Sequence, residues 1–506
     1  MSKEKKTVDD YFNRNKWIYS ISGMGRDMSY ALFTNFLLTY ILFTRNVTDK
    51  QFAVISTILV ICRIWDGLND PIMGGVVENT RTKFGKFKPW IMIGCITNGA
   101  AVIAMFSNRA QGWNFIYLFI ALYLIWDITY TMNDIGYWSM MPSLTSRADR
   151  RDKIVALANL FSGLGNLMAV GLVPMLTAGK NAIGGNSITA YMIVSIFVVG
   201  MFILCQTFCC VGVKEDRSVK AEKEEKHGLK EMFSVIILND QLLWATLITL
   251  LSNLSGAMLT AFAAYYIYLK FGYNGTYVTM FTAFYAGAAG ILLMLFPMLC
   301  RKFKRKQALA ISLTVACIGY AGFIIGGTVI PDSIRLYFLC GAALVTGFGQ
   351  NWFSMVVMVI FTNTIEYNEY KTGNRDEALI FSLRPFMSKM SSALQQLIVT
   401  VVYLIIGMTG ITNQISGFEQ QANLKQITEE AKLDGIEKVL NSAPSDMSLK
   451  LALCMAIIPI ILLVIAFIIS KKKNKIDEEE YDRMLAEIEK RKAEKLGNPA
   501  AEETAQ

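Results

Sequence analysis

Apolar positions in this chain do not alternate with polar ones. They gather into unbroken runs. The windows 89–108, 154–179, 181–213, 241–269, 271–300, 307–331, 336–365 and 451–470 contain no charged residue. A helix of about 20 residues crosses a hydrocarbon layer of about 30 Å, so each window is long enough to span one. Four more apolar segments, near 17–44, 51–77, 111–141 and 378–408, are interrupted by only a few charges. Lipid offers no partner to a backbone N–H or C=O, so the spans must be helices, and they are too long and uniform for barrel strands. The pattern predicts twelve transmembrane helices.

Polar segments divide these helices into two sets. The stretch KEDRSVKAEKEEKHGLKEMF (214–233) separates six spans from six. The expected organisation is a six-helix bundle over 1–213, a middle loop at 214–235, a second bundle over 236–470 and a charged tail at 471–506. A weak repeat supports two halves. RTKFGKFKP (81–89) after the second span is echoed by RKFKRK (301–306) after the eighth, and RRDK (150–153) by NRDE (374–377). Parallel six-helix repeats describe an all-α membrane protein of major facilitator type, with two pseudo-symmetric bundles.

Orientation follows from lysine and arginine. With the N-terminus inside, inner segments hold 35 of these residues and outer loops 10, so both termini are expected in the cytoplasm and the chain in the cell membrane. The first 16 residues show no cleavage pattern, and no signal peptide is expected. The outer segment 418–446 has helix-like patterning. The tail 475–495 reads as a charged surface helix with i, i+4 pairs.

Composition narrows the function. The chain has 506 residues, 53% hydrophobic and 18% charged. Soluble domains carry about 25% charge, which excludes a soluble enzyme, a nucleic-acid-binding protein and a disordered scaffold. The net charge of +9 is a topology signal rather than a nucleic-acid footprint. The one histidine, His227, lies in the middle loop, so no His-based triad or His metal site exists within the membrane. No P-loop is present, and no enzyme activity or cofactor is expected. The nine cysteines fall within or beside apolar spans, without metal or disulfide spacing.

Against this background nine charges stand out: Arg26, Asp27, Arg63, Asp66, Asp70, Asp127, Asp134, Arg384 and Lys389 all interrupt spans. An ionisable group in a span costs several kcal/mol unless paired or hydrated. Five acids and four bases therefore imply a shared polar cavity. In RIWDGLNDPIMGG (63–75), Asp66 and Asp70 are i and i+4 and share a helix face, with Asn69 beside them. Two carboxylates in low dielectric need a proton or a bound cation, and their hard oxygens suit sodium. In WDITYTMNDIGYWSMMP (126–142), Asp127, Thr131, Asp134 and Trp138 form one stripe, with Tyr130 one turn before Asp134. A carboxylate beside an indole suits sugar recognition: the acid accepts hydroxyls and the ring covers the sugar's C–H face. Trp138 suits an interfacial anchor equally well. Arg26 and Asp27 are adjacent on a helix, so their side chains are expected to diverge by about 100° and serve different partners. Lys389 lies five residues after Arg384 and is placed to report on carboxylates of the first half.

The run WDGLNDPIMGGVVENTRTKFGKFKPW (65–90) resembles the signature of the glycoside–pentoside–hexuronide:cation symporters, of the major facilitator superfamily. The resemblance continues through TYTMNDIGYWSMMPSLT (129–145), EYNEYKTGNRDEALIFS (366–382) and YDRMLAEIEKRK (481–492). It implies a cation site at Asp66, Asn69, Asp70 and Thr131, with sodium held at Asp66 and Asp70. It implies a sugar site at Asp27 and Asp134 with Arg26, Tyr130 and Trp138, and a coupling role for Lys389. At two places the chain departs from the family's best-known member: Asn159 replaces a sugar-contacting arginine, and Arg384-Pro385 replaces a Gln-Thr pair. The implied function is secondary symport of a sugar or glycoside with sodium or a proton, in a lipid-embedded monomer. Alternatives are a carrier of an acidic sugar, for which Arg384 would pair with carboxylate, a lysolipid carrier, or a membrane sensor without flux.

Overall fold

The computed structural model of the chain describes residues 8–145, 147–215, 239–373 and 376–497. Most of the expected middle loop, 214–235, lies outside the described residues. The described chain is helical almost throughout. Its helices are α1 Phe12–Thr44, α2 Asp49–Asn79, α3 Lys88–Ser107, α4 Gly112–Met140, α5 Ala148–Thr177, α6 Ser187–Gly212, α7 Asp240–Phe271, α8 Gly275–Lys302, α9 Arg305–Thr328, α10 Asp332–Thr372, α11 Glu377–Ile406, α12 Met408–Asn423, α13 Glu429–Ser442, α14 Ser445–Lys473 and α15 Glu478–Gly497. Helices α1–α11 and α14 are the twelve expected spans. Among the described residues, ten of these are long and apolar enough to cross a membrane. The other two, α1 and α2, are of similar length and carry five of the nine intramembrane charges. The helix-like segment 418–446 forms the end of α12, all of α13 and the start of α14, and the charged tail forms α15.

Local chemistry sets several helix ends. Thr48 and Gln51 form a capping box at α2, each side chain satisfying the other's backbone N–H. Asn186 caps α6 by accepting from Thr189 N, and Thr428 caps α13 by accepting from Ala431 N. The 81–89 loop is a tight turn in which Thr82 pairs with Gly85, whose φ of +110° is open to glycine and costly for other residues.

Packing divides the chain into two units. One holds Met1–Glu225, Ala261–Ala283 and Gln396–Leu451; the other holds Lys226–Thr260, Phe284–Gln395 and Ala452–Gln506. In the first unit α1 packs on α5 and α6, α3 on α4 and α6, and α2 on α4. A buried cluster of Tyr19, Val77, Ile91, Tyr137, Met140 and Cys209 forms its core near one end. Tyr19 and Tyr137 stack at 4.2 Å, and each hydroxyl donates to the other's carbonyl, at 2.9 and 2.7 Å. In the second unit α9 packs on α10. There, Ser255 donates to Gln350 and to the Pro459 carbonyl, both at 3.1 Å. Hydrogen bonds of this kind replace the hydrophobic drive that lipid does not supply between helices.

The α3–α4 contact shows how closely backbones approach. Asn98 Nδ2 donates to the Trp126 carbonyl and Asn133 Nδ2 to the Ile91 carbonyl, both at 2.8 Å. Gly94 lies between these bonds, and a Cβ there would sit 2.7 Å from Asn133 N and 2.8 Å from the Thr129 carbonyl. Gly94→Ala is expected to cost about 1–3 kcal/mol as overpacking, read as a lowered unfolding temperature of the purified protein in detergent. An unchanged temperature would mean the two helices part freely at this point.

Candidate functional site

The intramembrane charges of the first unit fall into two clusters, built on α1, α2 and α4. The first centres on Arg26. Its Nε lies 3.0 Å from Asp27 Oδ1 and its Nη2 donates to Asp27 Oδ2 at 3.2 Å, a two-pronged pair. Its Nη1 lies 3.1 Å from Asp134 Oδ1 on α4. The expectation that Arg26 and Asp27 serve different partners is therefore corrected. Their Cα–Cβ bonds do diverge, but the arginine chain is long enough to fold back across the gap. The guanidinium lies over the rings of Tyr137 at 4.4 Å and Trp138 at 5.0 Å. The Arg26 side chain is only 3% exposed, whereas those of Asp27 and Asp134 are 21% and 37% exposed. A buried cation thus holds two carboxylates at the edge of open space, with an indole alongside.

The second cluster centres on Asp66. Thr131 Oγ1 of α4 donates to Asp66 Oδ1 at 3.4 Å, joining the predicted α2 and α4 residues. Asp66 and Asn69 are buried, and Asp70, one turn on, is partly buried. The amide nitrogen of Asn69 makes no hydrogen bond among the described residues. Arg63 Nη1 stands 3.9 Å from Asp66 Oδ2 and donates to the Tyr30 hydroxyl at 3.5 Å. It lends Asp66 a nearby charge without a close hydrogen bond. Asp127 is buried on α4, one turn before Thr131. Two carboxylates, an amide and a hydroxyl are hard oxygen donors of the kind an alkali cation takes.

Between the clusters runs an aromatic ladder. Phe33 stacks on Trp126 at 4.0 Å, Trp126 on Tyr130 at 5.7 Å, and Tyr130 packs on Tyr30 at 4.7 Å. Of these, only Tyr130 was expected at the site. Tyr30 lies one turn beyond Arg26 and Trp126 one turn before Tyr130, which was the available signal in the sequence. Asn159 is exposed on α5. Arg384, exposed, and Lys389, partly buried, lie on α11 in the second unit.

Residues 18–472 match the family described as MFS/sugar transport protein. This chain belongs to that family. It is a transporter, not an enzyme, and a multi-pass membrane protein. A lactose permease of Lactobacillus helveticus is 28% identical, with 94% of this chain aligned to 73% of that protein. A raffinose carrier protein of Pediococcus pentosaceus is 27% identical, over 95% and 72%. A lactose permease of Lactobacillus delbrueckii subsp. bulgaricus is 30% identical, over 93% and 72%. These relatives are glycoside–pentoside–hexuronide symporters, the family the sequence motifs resemble. Solved structures share the fold. A bacterial homologue of the human lysosomal transporter Spinster gives a TM-score of 0.64 at 14% identity, covering 93% of this chain and 98% of that one. A D-xylose–proton symporter gives 0.53 at 14%, covering 85% and 97%.

In this family member Arg26 is the group whose loss leaves charge stranded. Arg26→Gln is expected to destabilise the fold by about 2 kcal/mol. That is below the ~3–5 kcal/mol of a fully buried broken pair, because Asp134 is partly exposed. Adding Asp27→Asn should recover part of the loss in thermal unfolding. A single variant as stable as the parent would mean Arg26 is not the counter-ion.

Proposed function

We propose that this carrier moves a neutral glycoside across the cell membrane together with a sodium ion, with both termini in the cytoplasm. The observation that carries this reading is the α1–α4 cluster: a buried Arg26 pairing two partly exposed carboxylates beside Trp138. A carboxylate accepts hydrogen bonds from adjacent sugar hydroxyls, and an indole face covers C–H bonds. Arg26 holds Asp27 and Asp134 in place through its ion pairs, and Tyr130 walls the same side. The names of the relatives, lactose permeases and a raffinose carrier, point to the same chemistry.

Coupling follows from what α2 and α4 share. A sodium ion at Asp66 and Asp70, completed by Asn69 and Thr131, neutralises a pair of acids that repel each other. The Asn69 amide, with no hydrogen bond on its nitrogen, loses none by turning its oxygen to the ion. Thr131 is three residues from Asp134, so an ion that draws Thr131 in also fixes the helix face that presents Asp134 to sugar. By linkage, sodium then raises sugar affinity by the factor with which sugar raises sodium affinity.

Proteoliposomes loaded without sodium and placed in lactose or raffinose plus sodium should accumulate sugar. Asp66→Asn should lower sodium-driven uptake at least tenfold while facilitated exchange of sugar persists. Accumulation driven by a proton gradient alone would replace sodium with a proton in this scheme. Uptake indifferent to both gradients would refute symport.

A further inference from the structure

Far from the intramembrane charges, the first unit buries a second ion pair. Glu419 of α12 and Lys432 of α13 are fully buried, 3.8 Å apart. Glu419 Oε2 accepts from Ser187 N at 2.7 Å, and Oε1 from the Ser187 hydroxyl at 3.1 Å. That hydroxyl also lies 2.8 Å from the Tyr273 hydroxyl and 2.6 Å from the Thr177 carbonyl. Lys432 Nζ donates to the Gly185 carbonyl at 2.7 Å. The pair thus ties together three pieces of chain far apart in sequence: the α5–α6 connection, the α7–α8 turn and the α12–α13 segment.

The surroundings repeat the theme. Val47 N donates to Asn413 Oδ1 and Asn413 Nδ2 to the Val47 carbonyl, both at 2.8 Å, so one side chain mimics a backbone strand partner. Gln420 Nε2 donates to the Thr44 carbonyl at 3.2 Å, and Thr409 bonds Asp49. Thr189 Oγ1 donates to Asn423 Oδ1 at 3.2 Å. A Cβ at Gly179 would strike the Tyr273 carbonyl, and one at Gly275 the Pro174 carbonyl. Every connection here was assigned to the outer face by its lysine and arginine count. They gather, and the contacts join connections of the first six spans to those of the last six.

These contacts are polar and densely made, yet little net stability comes from them. A carboxylate taken fully out of water is penalised, and burial pushes the Glu419 carboxyl up, opposed by Lys432 and the Ser187 hydrogen bonds. A buried ion pair roughly balances attraction against desolvation. Such a contact defines one arrangement without locking it, which suits a joint that opens and closes in every cycle.

We infer that the Ser187–Tyr273–Glu419–Lys432 cluster is the outer latch of the transport cycle, with Glu419 the positioning residue that docks α12–α13 on the α5–α6 and α7–α8 connections. The inference rests on the carrier reading above: a carrier that exposes its site alternately to both sides must release this cluster to open outward.

The test uses Thr189→Cys and Asn423→Cys, which flank the latch and leave its four residues intact, in a full-length carrier lacking its nine native cysteines. A short reducible bis-thiosulfonate reagent then joins the pair. The cross-linked protein should keep its unfolding temperature and its stabilisation by lactose or raffinose. Exchange of that sugar in proteoliposomes should fall at least tenfold and return on reduction. Unchanged exchange after full cross-linking would overturn the latch alone. A double-cysteine protein that moves neither sugar before cross-linking would overturn the latch together with the carrier reading. Glu419→Gln with Lys432→Met, which removes both charges at once, should lower the cross-linking yield at least threefold. An unchanged yield would show that the pair does not hold the segment closed.

Discussion

Charge placed in an apolar span must be neutralised where it stands, and the first unit is arranged around that constraint. Its two clusters meet it to different degrees. Arg26 makes contacts of 3.0–3.2 Å with Asp27 and Asp134. Asp66 lies 3.4 Å from the Thr131 hydroxyl and 3.9 Å from the Arg63 guanidinium. Coulomb energy falls with distance and hydrogen-bond strength falls faster. The α1–α4 cluster is therefore the more closely paired of the two, and the symport proposed above places its cation at the α2 acids. In the symport proposed above, that difference separates the sugar-facing cluster from the ion site.

Helix α4 is where the two demands meet. Thr131 faces Asp66, and Asp134 faces Arg26. The ladder from Phe33 through Trp126 and Tyr130 to Tyr30 packs this helix against α1. Close-packed rings leave this seam little room to slide. The Arg63–Tyr30 bond links the guanidinium beside Asp66 to the ring that packs on Tyr130.

Most of this frame was legible before any coordinates. Eight spans are written as charge-free runs and four as apolar runs broken by a few charges, because charge in lipid is costly, and all twelve appear as helices. The intramembrane charges marked the candidate site for the same reason, and those of α1, α2 and α4 gather into two clusters. Pairing was harder to read. The Arg26–Asp27 pair defied helical spacing because spacing constrains Cα–Cβ directions, not the reach of a six-atom side chain. Tyr30 and Trp126 went unnoticed because aromatics in membrane helices are common and their stacking is a tertiary fact. Glu419 and Lys432 were hidden more completely. In a polar outer segment charged residues read as solvated, and only the docking of α12 and α13 on other connections shows that these two are dry.

The buried pairs at the centre and at the outer face answer to one rule with opposite uses. At the centre, Arg26 is dry and its carboxylates are half open, so a polar solute can replace water on the acids without disturbing the arginine. In the Glu419–Lys432 pair, which the topology proposed above puts at the outer face, both partners are dry. Partial exposure suits the first to binding. Complete burial, with contacts to two other connections, suits the second to the proposed latch, a contact either fully made or fully broken. That all-or-none character is what a carrier needs where leakage has to be prevented, since a gradually loosening seal would pass water and ions in intermediate states.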